Sequence, residues 1–212
     1  MRAVWISRYG PPEVLELRNN TDPEPQPGQV RLRVKAAGLN FAEVTARQGL
    51  YPDAPKPPCV VGYEVAGVID AMGANAGAFQ VGDRVIALCK FGGHADTVVV
   101  PCDQVRVMPA SMSFEEAAAL PVNYITAYHM LFRIACVRPK ERVLVHMAAG
   151  GVGTAVLQLA QAIGEVTVFG TASLSKHNYI RSQGCTYPID YHRDDYVSEV
   201  LRLTENEGVD VV

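Results

Sequence analysis

Short apolar runs alternate with polar residues and with clusters of Gly and Pro through the first half of the chain. The runs have the length of β-strands rather than of helices, and clusters such as 10–12 and 23–28 separate them. This pattern predicts strands at residues 3–6, 14–17, 30–34, 64–69, 84–88 and 96–100. Many short strands at this spacing are typical of an all-β barrel or sandwich.

The pattern changes near Ser113, where Ser-Phe-Glu-Glu has the form of a capping box. A helical stretch follows, is interrupted by Pro121 and resumes over 124–135. Strands and helices then alternate, with strands predicted at 142–146, 166–169, 187–189 and 209–212 and helices at 152–163, 175–182 and 196–204. Such alternation predicts a parallel, doubly wound α/β sheet. We therefore expect a β domain at 1–120 and an α/β domain at 121–212.

One stretch of the second half has the polarity of a membrane span. Residues 143–164 contain no Asp, Glu, Lys or Arg, and the stretch is long enough to cross a bilayer. Its interior is β-like at 143–145, breaks at a glycine cluster over 150–153, and then carries Gln158 and Gln161 at helical spacing. We expect a strand, a glycine turn and a helix rather than a membrane span.

The composition is that of a globular protein and gives no general attraction to polyanions. The 212 residues are 49% hydrophobic and 19% charged, with a net charge of −3. We therefore expect no nucleic-acid partner. Five scattered cysteines without a CxxC pair argue against a disulfide framework and a cysteine-rich zinc site. Because the amino terminus has too short an apolar run for a signal peptide, we expect a cytoplasmic protein.

The glycine cluster is the first candidate for chemistry. Ala148, Gly150, Gly151, Val152 and Gly153 form an A-x-G-x-x-G pattern between a predicted strand and a predicted helix. In dinucleotide sites such a turn lets the backbone approach a pyrophosphate, which sits at the helix amino terminus. The alternative is a structural turn with no ligand.

A second signal concerns the ribose of such a dinucleotide. An NAD-type site places an acidic residue about 20 residues after the glycine motif, but no acid occurs between Glu165 and Asp190. Ser173 and Lys176 occupy this region instead, and a hydroxyl with an ammonium suits a 2′-phosphate. This predicts NADP(H) as the cofactor. In the alternative, Ser173 caps the next helix and Lys176 is a solvated side chain; both interpretations can hold together.

Several longer motifs resemble one family. They are GLNFA at 38–42, ARQGLY at 46–51, EEAAAL at 115–120, VNYITAY at 122–128, the segments 143–153 and 166–173 with Lys176 and His177, and PIDYH at 188–192. Together they resemble the zinc-independent quinone-oxidoreductase branch of the medium-chain dehydrogenase/reductase superfamily, in particular the synaptic-vesicle membrane protein VAT-1 group. The resemblance covers essentially the whole chain. It implies a GroES-like β-barrel domain followed by a Rossmann-type parallel sheet.

The resemblance also implies roles for individual residues. Asn40 and Tyr51 would line the substrate pocket beside the nicotinamide, with Tyr51 able to donate a proton. Thr126 would lie near the nicotinamide and Tyr191 near the adenosine phosphate. Zinc-containing relatives have Cys and His where this chain has Asn40 and Tyr63, so the resemblance implies a site without a metal.

Two hypotheses about function follow from the resemblance, beside a third interpretation in which a truncated chain folds poorly and has neither function. The first is NADPH-dependent reduction of quinones or α,β-unsaturated carbonyl compounds by hydride transfer. The second is a non-catalytic NADPH-binding adaptor in vesicle or mitochondrial membrane traffic, held peripherally on a vesicle or on the mitochondrial outer membrane. Full-length relatives are expected to be homodimers.

The chain departs from the family pattern in four respects. Glu43 stands where Asp is usual, His94 where Tyr or Trp is common, and Lys140 where Gly is usual. The fourth concerns length, because family members are longer. We therefore expect a fragment or truncated isoform with an incomplete Rossmann sheet, which binds NADPH weakly and turns over little.

Overall fold

The alternating apolar residues of the first half form seven strands in two sheets. The computed structural model describes residues 1–212. Strands β1 (Arg2–Ile6) and β2 (Leu15–Asn19) pair antiparallel. The other five strands form an antiparallel sheet in the order β6-β3-β4-β5-β7, with bounds β3 Gln29–Ala37, β4 Glu64–Met72, β5 Arg84–Leu88, β6 Thr97–Pro101 and β7 Val105–Val107.

The larger sheet buries the apolar residues that predicted it. Val30, Leu32, Val65, Ile69 and Val85 are almost completely buried and share one core cluster. Their burial supplies the hydrophobic stabilisation of this part of the chain. The six predicted strands are therefore present, with β3 and β4 longer than their apolar runs, whereas the short β7 was not predicted.

Three helices accompany these strands, and the sequence analysis predicted only part of them. Helix α1 (Phe41–Arg47) was not predicted. Helix α2 (Phe114–Ala118) begins after Ser113, whose side chain accepts a hydrogen bond from the backbone of Glu116 at 3.1 Å, so the capping box is confirmed. Helix α3 (Pro121–Tyr128) starts at the proline and continues into a wide π-type turn, His129–Ile134. The helical stretch expected over 124–135 is therefore present, but Pro121 begins it rather than interrupting it.

The second half forms the expected parallel sheet. Strands β8 (Arg142–Val145), β9 (Thr167–Thr171) and β10 (Tyr187–Ile189) are all parallel, in the order β10-β9-β8. Helices α4 (Gly151–Ile163), α5 (His177–Ser182) and α6 (Tyr196–Leu203) connect or follow them. Val168, Leu157 and Ile180 are buried in one cluster between the sheet and its helices.

The expectation for residues 209–212 is only partly met. In place of a full strand, one parallel bridge joins Val211 to Val143. The backbone N–H of Leu144 donates to the carbonyl of Val211 at 2.8 Å. This pairing lies beside β8, on the side away from β9.

The chain divides into two compact units, Met1–Val122 and Asn123–Val212; the sequence analysis placed the boundary between residues 120 and 121. The uncharged stretch 143–164 is split between β8 and α4 by the glycine turn. None of the helices combines the length and the apolar character that crossing a membrane requires.

Candidate functional site

The glycine turn lies where two parallel strands end. It follows β8, and the backbone N–H of Ala148 donates to the carbonyl of Thr171, the last residue of β9, at 3.0 Å. The N–H of Met147 donates to the Thr171 hydroxyl at 3.2 Å. Ligands of open α/β sheets bind at the carboxyl ends of the strands, which is where this turn lies.

The glycines of the turn differ in how much space the surrounding atoms leave for a side chain. A Cβ at Gly153 would lie 2.4 Å from the Met147 carbonyl oxygen and 2.7 Å from Cα of Ala148, so only glycine allows α4 to start this close to the turn. A Cβ at Gly151 would meet the side chain of Asn123. At Gly150, by contrast, only the Met147 oxygen lies within reach, at 3.2 Å.

Helix α4 offers its amino terminus without a side-chain cap. Gly150 is the N-cap residue and has no side chain to satisfy the first N–H groups, which also have no partner within the helix. With Val152 in its first turn, the helix runs for 13 residues. The free N–H groups and the helix dipole together favour an anion here.

Ser173 and Lys176 follow β9, whose last residue, Thr171, accepts hydrogen bonds from Met147 and Ala148 of the turn. Ser173 precedes a short 3-10 turn without capping it by its side chain, and its hydroxyl lies 3.5 Å from that of Ser175. Lys176 is exposed and takes part in no ion pair. The side-chain capping role considered for Ser173 is therefore absent, and both side chains are available to a ligand.

Two further predicted cofactor residues belong to the same unit. Tyr191 follows β10 and is 53% exposed. Its ring packs against that of His192, with the two ring centroids 4.3 Å apart. The N–H of Ala172 donates to the carbonyl of Ile189, so the segments after β9 and β10 are neighbours. Thr126 lies on an exposed part of α3.

In the first unit, Asn40 stands at the start of α1. Its backbone N–H donates to Glu43 Oε2 at 2.7 Å. Its side-chain Nδ2 donates to Glu64 Oε1 at 2.9 Å. One of the two amide protons is therefore committed to the protein, and the other is available.

Glu64 is a residue that the sequence analysis missed as part of this site. It is 1% exposed, and its second oxygen accepts the backbone N–H of Val122 at 2.7 Å. Burial raises the pKa of the Glu64 carboxyl, and the hydrogen bonds from Val122 and Asn40 oppose this rise. The sequence signal that could have indicated Glu64 is its position directly after Tyr63, because zinc-containing relatives have a zinc ligand at the position of Tyr63.

Tyr51 belongs to a small aromatic group. Its ring meets the edge of the Tyr63 ring with centroids 6.1 Å apart, and the Tyr63 ring lies 5.4 Å from that of Phe91. Burial raises the pKa of the Tyr63 hydroxyl, and the nearby Tyr51 and Glu43 raise it further. The Tyr63 phenol is therefore a hydrogen-bond donor at neutral pH.

No group of three or more His, Cys, Asp or Glu side chains is arranged to hold a metal ion. Burial raises the pKa of the Cys59 thiol, and it raises that of Cys89 to about 12. These thiols are protonated at neutral pH and are poor nucleophiles or ligands.

Comparison with known proteins identifies the class. Residues 26–111 match the alcohol dehydrogenase GroES-like domain family. A β unit of this type followed by a parallel sheet with a glycine turn is the arrangement of the medium-chain dehydrogenases and reductases.

Individual relatives show which group within this class of proteins the chain resembles. The chain is 49% identical to the synaptic vesicle membrane protein VAT-1 homolog of Mus musculus over 214 residues, covering 100% of this chain and 52% of that protein. It is similar to the crystal structure of human synaptic vesicle membrane protein VAT-1 homolog-like protein, with a TM-score of 0.92, 45% identity and coverage of 100% and 67%. For the Escherichia coli quinone oxidoreductase complexed with NADPH, the TM-score is 0.91 at 30% identity, with coverage of 99% and 64%.

The chain therefore belongs to the medium-chain dehydrogenase/reductase superfamily, an oxidoreductase family, in the group of the VAT-1 homologues and quinone oxidoreductases. It spans about half the length of the curated VAT-1 relatives that it matches.

Proposed function

We propose that this chain binds NADPH and reduces quinones or α,β-unsaturated carbonyl compounds without a metal ion. The observation that carries the proposal is the exposed, unpaired Lys176 in the segment after β9, together with Ser173, whose hydroxyl meets only that of Ser175, at 3.5 Å. A 2′-phosphate is the group of NADPH that such a pair would recognise. The NADPH complex of the similar Escherichia coli enzyme supports this choice.

The residues of the second unit fit a dinucleotide. The backbone at Gly150 is open on its exposed side, so a pyrophosphate can approach closely. Gly151, Val152 and Gly153 supply the first N–H groups of α4 toward it. Ala148 keeps the turn against β9, and Tyr191 would contact the adenosine end.

The first unit supplies the groups that act on the substrate. NADPH, when bound, supplies a hydride. The hydroxyl of Tyr51 would donate a hydrogen bond, or its proton, to the substrate oxygen that gains charge. The free amide proton of Asn40 would donate a second hydrogen bond, while Glu64 fixes the orientation of that amide.

An NADPH-oxidation assay over a set of quinones and enones tests this proposal. We expect turnover that depends on the acceptor, survives dialysis against a chelator and falls in Tyr51→Phe. Thr126→Val is the second variant to compare with wild type, because the family resemblance implies that Thr126 lies near the nicotinamide. The absence of NADPH oxidation with every acceptor would contradict the proposed activity.

The names of the relatives favour a second candidate, a non-catalytic NADPH-binding adaptor on membranes. The similar mouse and human proteins are described as synaptic vesicle membrane proteins. In this candidate the chain is held on the membrane peripherally or through a partner protein. Co-sedimentation with liposomes tests it, and failure to bind liposomes of any composition or a membrane protein would count against it.

A further inference from the structure

Ser173 and Lys176, the residues that we assign to the 2′-phosphate, lie on one short closed turn, called here the 173–176 turn. The backbone N–H of Lys176 donates to the carbonyl of Ser173 at 2.9 Å, which closes the turn. His177, 8% exposed, follows it, and its Nε2 lies 3.2 Å from the carbonyl oxygen of Ala172. Because a carbonyl only accepts, Nε2 donates this hydrogen bond. The 173–176 turn is therefore fixed to the first residue of α5.

Helix α5 is joined to helix α4 by two pairs of polar side chains. Near the start of both helices, the hydroxyl oxygens of Thr154 and Tyr179 lie 3.0 Å apart. One helical turn further along, Nε2 of Gln158 donates to Oε1 of Gln183 at 2.6 Å. On each side the two residues are four positions apart, which places them on one face. We call these four residues the α4–α5 clamp.

The two glutamines of the uncharged stretch 143–164 both take part in holding α5 and the residues after it. Gln158 belongs to the α4–α5 clamp and also accepts a hydrogen bond from the Tyr124 hydroxyl of α3. Gly184, at φ +111°, lies against the other glutamine, since a Cβ there would be 2.6 Å from Cδ of Gln161. A side chain at this position would push Gln161 away, so α4 and the end of α5 pack closely.

The first pair of the clamp lies near both groups that a dinucleotide phosphate would meet. Helix α4 begins at the glycine turn, and Thr154 is its fourth residue. Tyr179 is the third residue after Lys176. The 3.0 Å contact between the two hydroxyls therefore helps to set how far Lys176 lies from the start of α4. Tyr179 is 46% exposed and lies outside the core cluster of this unit, so loss of its hydroxyl should leave the unit folded.

We propose that Tyr179 is a positioning residue for the preference for NADPH. Through Thr154, it holds the 173–176 turn at the distance from the glycine turn that separates the 2′-phosphate of NADPH from its pyrophosphate. A binding group that is displaced from its ligand contributes less, so this distance matters for NADPH. It does not matter for NADH, which has no 2′-phosphate. The inference rests on the proposed function, because it takes Ser173 and Lys176 as the residues that bind the 2′-phosphate.

Tyr179→Phe in the full chain tests the inference, because it removes the hydroxyl and keeps the ring. In titrations of cofactor fluorescence, the Kd for NADPH should rise about 2- to 10-fold, the range that corresponds to the loss of one hydrogen bond. The Kd for NADH should stay unchanged, whereas a merely structural role would weaken both cofactors alike. Thr154→Val removes the other hydroxyl and should have the same effect. The double variant should bind NADPH no more weakly than either single variant, because both lose the same contact.

A Ser173→Ala/Lys176→Ala background shows whether Tyr179 acts through the 173–176 turn. There Tyr179→Phe should leave the Kd for NADPH unchanged, because no side chain remains to be positioned. A further loss of affinity in this background would mean that Tyr179 acts by another route, and the positioning role would be wrong. Tyr187→Phe is the matched control and should change neither Kd. Tyr187 begins β10, at the end of that strand opposite the candidate site, and its ring stacks on that of Phe169.

The outcomes separate this inference from the proposed function. Equal weakening of NADPH and NADH binding in Tyr179→Phe would overturn the inference. A wild-type preference for NADPH that survives both Tyr179→Phe and Thr154→Val would refute the inference and leave the proposed function standing. A wild-type chain that binds NADPH no better than NADH would refute the assignment of Ser173 and Lys176, and this inference with it.

Discussion

Replacing Lys176 with alanine removes the one cation that we assign to the cofactor's 2′-phosphate. Lys176 is exposed and has no ion-pair partner in the protein, so its loss leaves no carboxylate uncompensated. The variant should therefore fold normally and change only what the ammonium contributes to binding. This separates the cofactor assignment from effects on stability.

The exposure of Lys176 sets the size of the effect. Two unit charges about 4 Å apart interact by about 1 kcal/mol in bulk water and by about 4 kcal/mol at an effective dielectric constant near that of a protein surface. Because the side chain is exposed, we expect the lower part of this range, about 1 to 2 kcal/mol. This corresponds to NADPH binding that is weaker by a factor of about 5 to 30.

Titration of cofactor fluorescence measures the change. The Kd for NADPH should rise in Lys176→Ala, the Kd for NADH should not, and Lys176→Arg should retain most of the preference. Raising the salt concentration should reduce the difference between wild type and variant. Lys140→Ala is the matched control, because Lys140 is also exposed but precedes β8, at the opposite end of the sheet.

Two outcomes would refute the reasoning. Equal weakening of NADPH and NADH binding in Lys176→Ala would mean that Lys176 supports the site without contacting the 2′-phosphate. A wild-type preference for NADH would remove the basis for assigning Ser173 and Lys176 to NADP(H).

Other predictions concern packing, capping and pH. Gly153→Ala should destabilise the chain by about 1 to 3 kcal/mol in denaturant unfolding, because its Cβ would lie 2.4 Å from the Met147 oxygen. Gly150→Ala should cost less stability than Gly153→Ala, because its Cβ would meet only the Met147 oxygen, at 3.2 Å, and it should weaken NADPH binding by narrowing the approach to the turn; equal loss of stability in both variants would contradict this contrast. Ser113→Ala should cost about 1 kcal/mol through loss of the helix cap, as measured in the same unfolding assay. Because the pKa of the Glu64 carboxyl is raised in the folded state, its contribution to stability is fully present below its ordinary pKa of 4.5 and is lost as the pH rises through the folded value. Glu64→Gln should therefore gain stability relative to wild type as the pH rises above 4.5, and a constant difference across the pH series would show that the carboxyl does not titrate as inferred.

Patterns confined to neighbouring residues were sufficient for much of the fold. The capping box at Ser113, the strands of the three sheets apart from β7, and the order of β8, the glycine turn and α4 follow from local preferences. The missed helix α1 carries a similar signal, since Asn40 precedes Glu43 by three residues and the Glu43 carboxylate accepts the Asn40 N–H. The helix is only 7 residues long, so it lacks the apolar periodicity on which the sequence analysis relied.

The sequence by itself determined the strand patterns, the glycine turn and the identity of the groups near it, because these depend on residue type and short spacing. Only the tertiary structure decided which of those groups meet. Asn40 reaches a carboxylate 24 residues away in sequence, and that carboxylate also holds a backbone group 58 residues away. The segment that carries Lys176 starts at the same edge of the sheet as the glycine turn, because β8 and β9 are adjacent and parallel. Such long-range pairings arise from burial and hydrogen bonding in the folded chain, which no local pattern encodes.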